Sequence, residues 1–484
     1  MAKYYITTAI DYVNARPHVG HALEKIQADV LARFHRQRGD DVLFLAGTDE
    51  HGAKVAQSAA AAGKSPKEFV DEVSKSFQDL KDTLNLSTDN FIRTTDENNH
   101  WPGAVKIWKE LDKSGDIYKR QYKGLYCVGH EAFVTEKDLE DGKCRDHQAA
   151  PEIIEEENYF FRLSRYSNEI GKRIKNGDFL ILPKSRANEI LSLIDNGGLE
   201  DVSFSRPRKD LAWGIPVPGD DSQTMYVWCD ALVNYISAIG YGRSEDYKKF
   251  WPADAQVIGK DILRFHAAIW PGMLLSSGLP LPKKLLVHGF VTSGGKKMSK
   301  TIGNVLDPVD LIMKFGVDPI RYYLLKEIPS GEDGDFGEDK FKLVYNGELA
   351  NGLGNFSARV TSLGEKLGEF PADKVEREVQ EKIKNIRELV EENLENFRIH
   401  EALGAIWELI SFGDGYINKN KVWEDIDGKV GKIFNLVVIL DNVTALLKPF
   451  LPETAGKIEK RINWTSDKTL RVTKGEILFP RIEE

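Results

Sequence analysis

The chain has 484 residues, more than one hydrophobic core usually serves, so about two to four domains are expected. Its net charge of −9 excludes binding of nucleic acid through bulk charge; any such partner would meet a local patch. The longest apolar block, IFNLVVIL, is cut by Asn435 and Asp441, and no basic segment with a long apolar run opens the chain, so neither a membrane span nor a secretory leader is expected. Three cysteines argue against a disulfide framework and for a reducing, cytoplasmic location.

In chain order, residues 4–10 read as a buried strand. A helix over 21–37 follows from Ala22, Ile26, Val30, Leu31 and Phe34 at helical spacing, with Gly39 as its stop. DVLFLAG (41–47) is a second buried strand, and the β-α-β unit predicts a parallel, doubly wound sheet. Ligands in such sheets sit beyond the strand ends. PHVGH (17–21) and GTDEHG (47–52) both fall there, and no G-x-G-x-x-G accompanies them. Residues 116–224 turn polar and loop-rich, and βαβ texture returns with MYVWCDALVNYISA (225–238) and AQVIGKDILRFHAAIWPGML (255–274). This reads as a split nucleotide-binding fold. Its first half is 1–115, an insertion is 116–224 and the second half is 225–290. A linker with a lysine-rich loop, SGGKKMSK, covers 291–345, and a helical domain with a non-helical tail folded back on the body covers 346–484.

Two histidines around a glycine at a helix start need be no more than a capped turn, and a lysine run is by default a solvated loop. Together they fit one chemical demand. Forming an acyl-adenylate builds charge on the leaving phosphates of ATP, so donors and cations must converge there. His18 and His21 at a helix N-terminus supply donors; Lys297 and Lys300 supply charge; Gly20 leaves room for a flat base against the backbone. A second pattern is Cys127-x-x-His130 and Cys144-x-x-His147, two C-x-x-H pairs that could close a structural Zn2+ tetrahedron. Cys229 reads as core.

His18-Val-Gly-His21 followed by Lys297-Met-Ser-Lys300-Thr301 resembles the paired signature of class I aminoacyl-tRNA synthetases, with Thr301 where serine is usual. Within that class the chain is similar to the methionyl-tRNA synthetase family, on stretches such as YYITTAIDYVNARPHVGHA, GTDEHG, FSRPRKDLAWGIPVP, YVWCDALVNY, VIGKDILRFHAAIWP, DPIRYYLL and LFPRIE. The resemblance implies an α/β fold: a split Rossmann-like parallel-sheet catalytic domain with a zinc-bearing insertion, plus an all-α C-terminal anticodon-binding helix bundle. It implies ATP with Mg2+, methionine and tRNA(Met), initiator tRNA included, as substrates, with one structural zinc. It puts Ala9, Ile10, Tyr12, Trp228, Leu232, Tyr235 and His266 around the methionine side chain and Asp49 on its ammonium. Asp261 would meet the ribose, and His288 and Val291 the adenine. Asn355, Arg359 and Trp423 would read the anticodon. The family usually has cysteines at all four zinc positions and proline before that tryptophan; here His130, His147 and Val422 replace them, so the backbone at 422 is expected to be less constrained. The insertion is too small for an editing module, and a monomer is expected. From the residues alone, Trp228, Leu232 and Tyr235 also read as a helical core stripe, and Trp423 as a core-edge aromatic. Two rivals remain at this level: a small-molecule adenylylating ligase, which would need no helical domain, and a non-catalytic binding protein, which would not need to keep His18, His21, Lys297 and Lys300.

Overall fold

Strand β1 (Lys3–Thr8) and strand β3 (Asp41–Asp49) run parallel, from Lys3 opposite Asp41 to Thr7 opposite Leu45. Both are buried on consecutive residues in their later halves, the mark of a strand covered on either side. The structure is a computed structural model describing residues 2–127, 132–134, 136–145, 148–298, 304–466 and 468–483. Two short strands, β2 (Asp11–Tyr12) and β4 (Asn90–Arg93), pair in parallel with the end of β3. On its other side β1 pairs with Ala255–Gly259, and strands Lys284–His288 and Leu180–Leu182 complete seven. The parallel sheet expected from the β-α-β pattern is present, and the strand ends that carry Asp49 and Gly259 lie on the same side of it, as parallel pairing requires.

Helix α1 (Val19–Gln37) starts two residues before the periodicity places it. His18 is the reason: its ring accepts from the Gly20 N–H and caps the helix, moving the boundary toward the signature.

By its internal contacts the chain forms two units. One comprises residues 1–17, 39–82 and 87–287; the other comprises 18–38, 83–86 and 288–484. The first holds the parallel sheet and the insertion. The insertion is built on a long antiparallel pair, Ile117–Cys127 with Glu152–Phe161, flanked by Ala132–Val134 and Val202–Ser203.

The second unit holds α1, a hairpin (Val291–Ser293 with Lys296–Lys297) and helices Pro308–Phe315 and Val317–Glu327. A π-helical stretch, Tyr345–Gly354, runs on into helix Asn355–Leu367. Helices Arg377–Glu395, Ile399–Asn420 and Val430–Leu447 pack on one another beyond it. The expectation of an all-α region after 345 is corrected here. Strands Glu369–Pro371, Thr469–Val472 and Ile462–Ser466 form an antiparallel sheet. Its alternation is short: Leu470 and Val472 are buried while Arg471 is exposed, and Val472 sits so close to Gly364 that a Cβ there would lie 2.8 Å from it. Helix Val430–Leu447 is long and apolar enough to span a membrane by length and composition, yet ten of its eighteen residues are buried inside the protein, and Asn435 accepts from the Glu376 N–H at 2.9 Å, as in a core helix. The tail folds back as expected: Asn346 exchanges hydrogen bonds with Ile482 at 2.9 and 3.0 Å, and Phe479 packs edge-on against Tyr345.

Candidate active site

The start of α1 is a reciprocal cap made of two imidazoles. His18 Nδ1 accepts from the Gly20 N–H at 3.1 Å, and His21 Nδ1 accepts from the His18 N–H at 3.0 Å. Accepting at Nδ1 puts the proton of a neutral ring on Nε2, so both rings are set to donate from Nε2. Burial pushes the His21 pKa down to about 3, and Lys25 and His288 push the same way. His21 is therefore a neutral donor at pH 7. The rings lie 3.8 Å apart. Gly20 is required by the cap itself, since a Cβ there would stand 2.8 Å from His18 Cε1.

In the same unit His288 is buried between Glu24 Oε2 (3.1 Å from Nε2) and the Gly289 carbonyl (2.7 Å from Nδ1), and Lys25 Nζ lies 3.7 Å from Glu24 Oε1. Val291 is buried at the start of the hairpin. The lysine-rich segment, expected as a mobile loop, begins as paired strand: Thr292 faces Lys297 and Ser293 faces Lys296. Gly294 and Gly295 both take positive φ, as a two-residue hairpin turn demands. Asp335 holds the turn through Thr292 Oγ1 at 2.7 Å and the Gly295 N–H at 2.8 Å, bonds that lower its pKa. Lys300 lies outside the described residues, as does the Lys297 side chain. Just beyond them the chain returns to α1: the Val19 N–H donates to the Leu306 carbonyl at 3.0 Å. The segment that follows the lysine signature, at Leu306, thus meets the helix start that carries the histidine signature.

The other unit carries the residues expected around an amino acid. Asp49, buried at the end of β3, faces Tyr12 across the β2–β3 pairing. Ile10 packs over Gly47, where a Cβ would lie 2.8 Å from Ile10 Cγ2. Ala9, Leu232 and Tyr235 are buried in the same core cluster, with Ile10 and Trp228 partly buried against it. Tyr235 Oη lies 2.7 Å from His266 Nε2, and His266 Nδ1 is 3.0 Å from the Ile262 carbonyl. The carbonyl can only accept, so Nδ1 holds the proton and Nε2 accepts from the tyrosine. Trp228 meets His266 edge-on at 6.1 Å. Leu232 and Tyr235 are as buried as a core stripe would make them, while Trp228 keeps a partly open face. Asp261 is exposed on the turn that follows strand Ala255–Gly259.

Several residues escaped the sequence reading. Phe265 stacks on Trp228 at 3.8 Å and 9°, aimed there by a π-helical turn, Phe265–Ile269, that no simple periodicity encodes. Glu50 is buried and accepts from Thr48 (2.7 Å), Thr95 and the Nε and Nη2 of Arg93 (2.7 and 3.0 Å), while its carbonyl takes the Trp213 indole N–H at 2.6 Å. His51 reaches Asp230 at 2.5 Å, and His100 reaches the other oxygen at 2.6 Å. Burial opposes ionisation of Asp230, but the two imidazoles outweigh it and hold its pKa near 2. These contacts lock the turn that presents Asp49 to the segment that presents Trp228. The run of three ionisable residues in GTDEHG was the available signal.

In the insertion, Cys127 and Cys144 are buried in one small cluster with Val134, bordered by Leu125 and Leu139. The backbone turns after Cys144, which donates to Ala149 O at 2.9 Å and accepts from Gln148 N–H at 2.8 Å. His130 and His147 lie outside the described residues, and among those described no group of three or more His, Cys, Asp or Glu is arranged to hold a metal.

On the helical region, Asn355 is exposed, and Arg359 is held by Asp414 (2.7 Å) and Asn418 (2.9 Å). Trp423 is 51% exposed, a half-open ring that fits both the core-edge reading and a surface for stacking. Val422 is 0% exposed, and Lys429 Nζ ties down the carbonyls of Asn420 and Lys421 at 2.7 and 2.9 Å. The expected loosening at 422 is therefore absent: a buried valine anchors the segment in place of a rigid proline.

The family model for class I tRNA synthetases (M) matches residues 4–148 and 134–361. The methionine–tRNA ligase of Clostridium acetobutylicum is 43% identical over 507 aligned positions, covering 99% of this chain and 78% of the relative. That of Brucella suis is 40% identical, covering 96% of this chain and 93% of the relative. The solved Mycobacterium tuberculosis methionyl-tRNA synthetase in complex with methionyl-adenylate superposes with a TM-score of 0.93 at 38% identity, covering 99% and 100% of the two chains. The chain belongs to the methionine–tRNA ligase family of class I tRNA synthetases.

Proposed function

We propose that this chain activates methionine with ATP and then esterifies tRNA(Met), initiator tRNA included, acting as a monomer in the cytoplasm. The observation that carries the reading is the Val19–Leu306 hydrogen bond, which holds the segment five residues beyond the lysine signature against the doubly capped start of α1. In the first step the methionine carboxylate attacks the α-phosphorus and pyrophosphate leaves. His18 and His21 donate from Nε2 to phosphate oxygens as charge grows there, and Lys297 and Lys300 add positive charge. Mg2+ carried with ATP would neutralise part of the triphosphate charge. Asp49 holds the ammonium. Ala9, Ile10, Tyr12, Trp228, Leu232, Tyr235 and His266 enclose the thioether, where each sulfur–aromatic contact is worth roughly 0.3–1.5 kcal/mol. Asp261 serves the ribose, and Gly20, His288 and Val291 the adenine. In the second step a terminal ribose hydroxyl of the tRNA attacks the acyl carbon and AMP leaves. Asn355, Arg359 and Trp423 read the anticodon, with bases stacking on the indole.

Pyrophosphate exchange measured with each of the twenty amino acids tests the reading. Methionine alone should support it; exchange with a different amino acid, or with none, overturns it. Cys127 and Cys144, with His130 and His147, would hold a structural zinc, since two buried thiols in one cluster suit a soft, closed site. Protein purified without added metal should then carry close to one zinc per chain, and Cys144→Ser should lower that content and the melting temperature together. Metal-free protein with unchanged melting rules the zinc out.

A further inference from the structure

Helix α1, about 28 Å long at 1.5 Å per residue, carries the imidazole cap at one end and is fastened to the helical region along the rest. Arg321, on helix Val317–Glu327, is the central fastening and is wholly buried. Its Nη2 donates to Asp29 Oδ2 of α1 at 2.8 Å and to the Pro449 carbonyl at 3.1 Å. Its Nε donates to the Phe450 carbonyl at 2.8 Å and its Nη1 to the Leu84 carbonyl at 3.1 Å. Asp29 is equally buried and also receives Arg33 at 2.8 Å. Further along, Gln37 donates to the Ala445 carbonyl at 2.9 Å, and Arg38 pairs with Glu391 at 2.7 Å and Glu395 at 3.3 Å.

A buried guanidinium stabilises little net when weighed against its desolvation, so its worth lies in fixing one geometry. Its planar fan joins one carboxylate and three carbonyls from three segments, α1, Leu84 and Pro449–Phe450, which a lysine cannot reproduce. We propose that Arg321 is a positioning residue for adenylate formation: by fixing Asp29 it sets the rotation and axial position of α1, and so the placement of His18 and His21 on the ATP phosphates. The inference rests on the proposed role of those histidines. It has a specific signature. Helix α1 bears the phosphate donors but none of the residues assigned to methionine, so a shifted α1 must impair the handling of ATP and spare methionine.

The test is pyrophosphate exchange and methionine binding, followed by tryptophan fluorescence, in full-length Arg321→Lys and Asp29→Asn, with rates normalised to titrated active sites. A displacement of about an ångström costs up to roughly a hundredfold. The expected result is a kcat for exchange ten- to a hundredfold lower and a raised KM for ATP. The methionine dissociation constant and KM should stay within about twofold. Arg38→Ala, which loosens only the exposed end of α1, should change neither. Unchanged kcat and ATP KM in both variants overturn the proposal. So does a parallel loss for ATP and methionine, which is what general destabilisation produces. If His21→Ala itself keeps full exchange, the reading of the imidazoles fails instead, and the two failures are told apart by that one variant.

Discussion

Asp230 and His21 are both titratable groups shifted by their surroundings, but one is held ionised and the other neutral. Asp230 is kept ionised between His51 and His100, with its pKa near 2, and its task is internal: it ties the Asp49 turn to the Trp228 segment. His21 is kept neutral, with its pKa near 3, because burial and the nearby Lys25 and His288 all oppose a proton. A charge that organises a pocket can be spent entirely on protein partners. A donor that must meet a phosphate is better held neutral and aimed, since its useful proton is then on a defined nitrogen and no counter-ion competes for it.

The largest effect should come from breaking the charged side of this pair. Asp230→Ala leaves two buried imidazoles without their acceptor and should cost about 3–5 kcal/mol in urea unfolding. It should also raise the methionine KM. Loss of less than 1 kcal/mol would mean that the clamp is not what joins the two segments. On the neutral side, His21→Ala should slow exchange about 10²–10³-fold with methionine affinity retained, and Lys300→Ala should do the same from the lysine signature. A change in methionine affinity as large as the change in rate would erase the division of labour.

Trp423→Ala sharpens the contrast with residues that act on tRNA alone. Base stacking is worth roughly 1–3 kcal/mol, so aminoacylation should weaken by about one to two powers of ten while tRNA-independent exchange is unchanged. Val422→Pro should destabilise, because Lys421 before it is left-handed at φ 45°, a conformation that a following proline disfavours. Equal damage to exchange and aminoacylation in Trp423→Ala would assign anticodon reading elsewhere.

The two charge states also set how stability depends on pH. The His21 pKa falls from its ordinary 6.5 to about 3, so the unfolded chain binds more protons between those values. Stability from this group is complete above about pH 6.5 and declines below it, by up to about 1.4 kcal/mol per pH unit. Asp230 is lowered from 3.8 to about 2, so its contribution is intact above about pH 4 and is lost only as pH falls toward 2. Denaturation curves of His21→Asn from pH 7 to 4 should be flatter than those of the parent protein. Identical slopes would mean that His21 is already protonated in the folded chain.

The paired signatures, the β-α-β start and the GTDEHG turn were legible in the sequence because each is a local pattern with a local physical cause. A helix start needs caps, and a parallel strand needs apolar faces. What did not show was set by partners distant in the chain. Phe265 needs a π-helical turn to reach Trp228. The sheet at 369–371, 462–466 and 469–472 is made of strands too short for alternation to outvote the helical texture around them. Val422 reads as the loss of a proline until its burial is seen.

The sequence by itself determined the family, the residue types available for chemistry and the approximate places where strands and α1 begin, since these follow from short-range sterics and hydrogen bonding. Only the tertiary structure decided how the ionisable groups are used. Whether His21 is neutral, whether Asp230 is spent on His51 and His100, and whether Arg321 faces solvent or four buried acceptors depend on burial and on groups as much as 292 residues apart. Desolvation and pairing act through space, and the order of residues along the chain does not contain them.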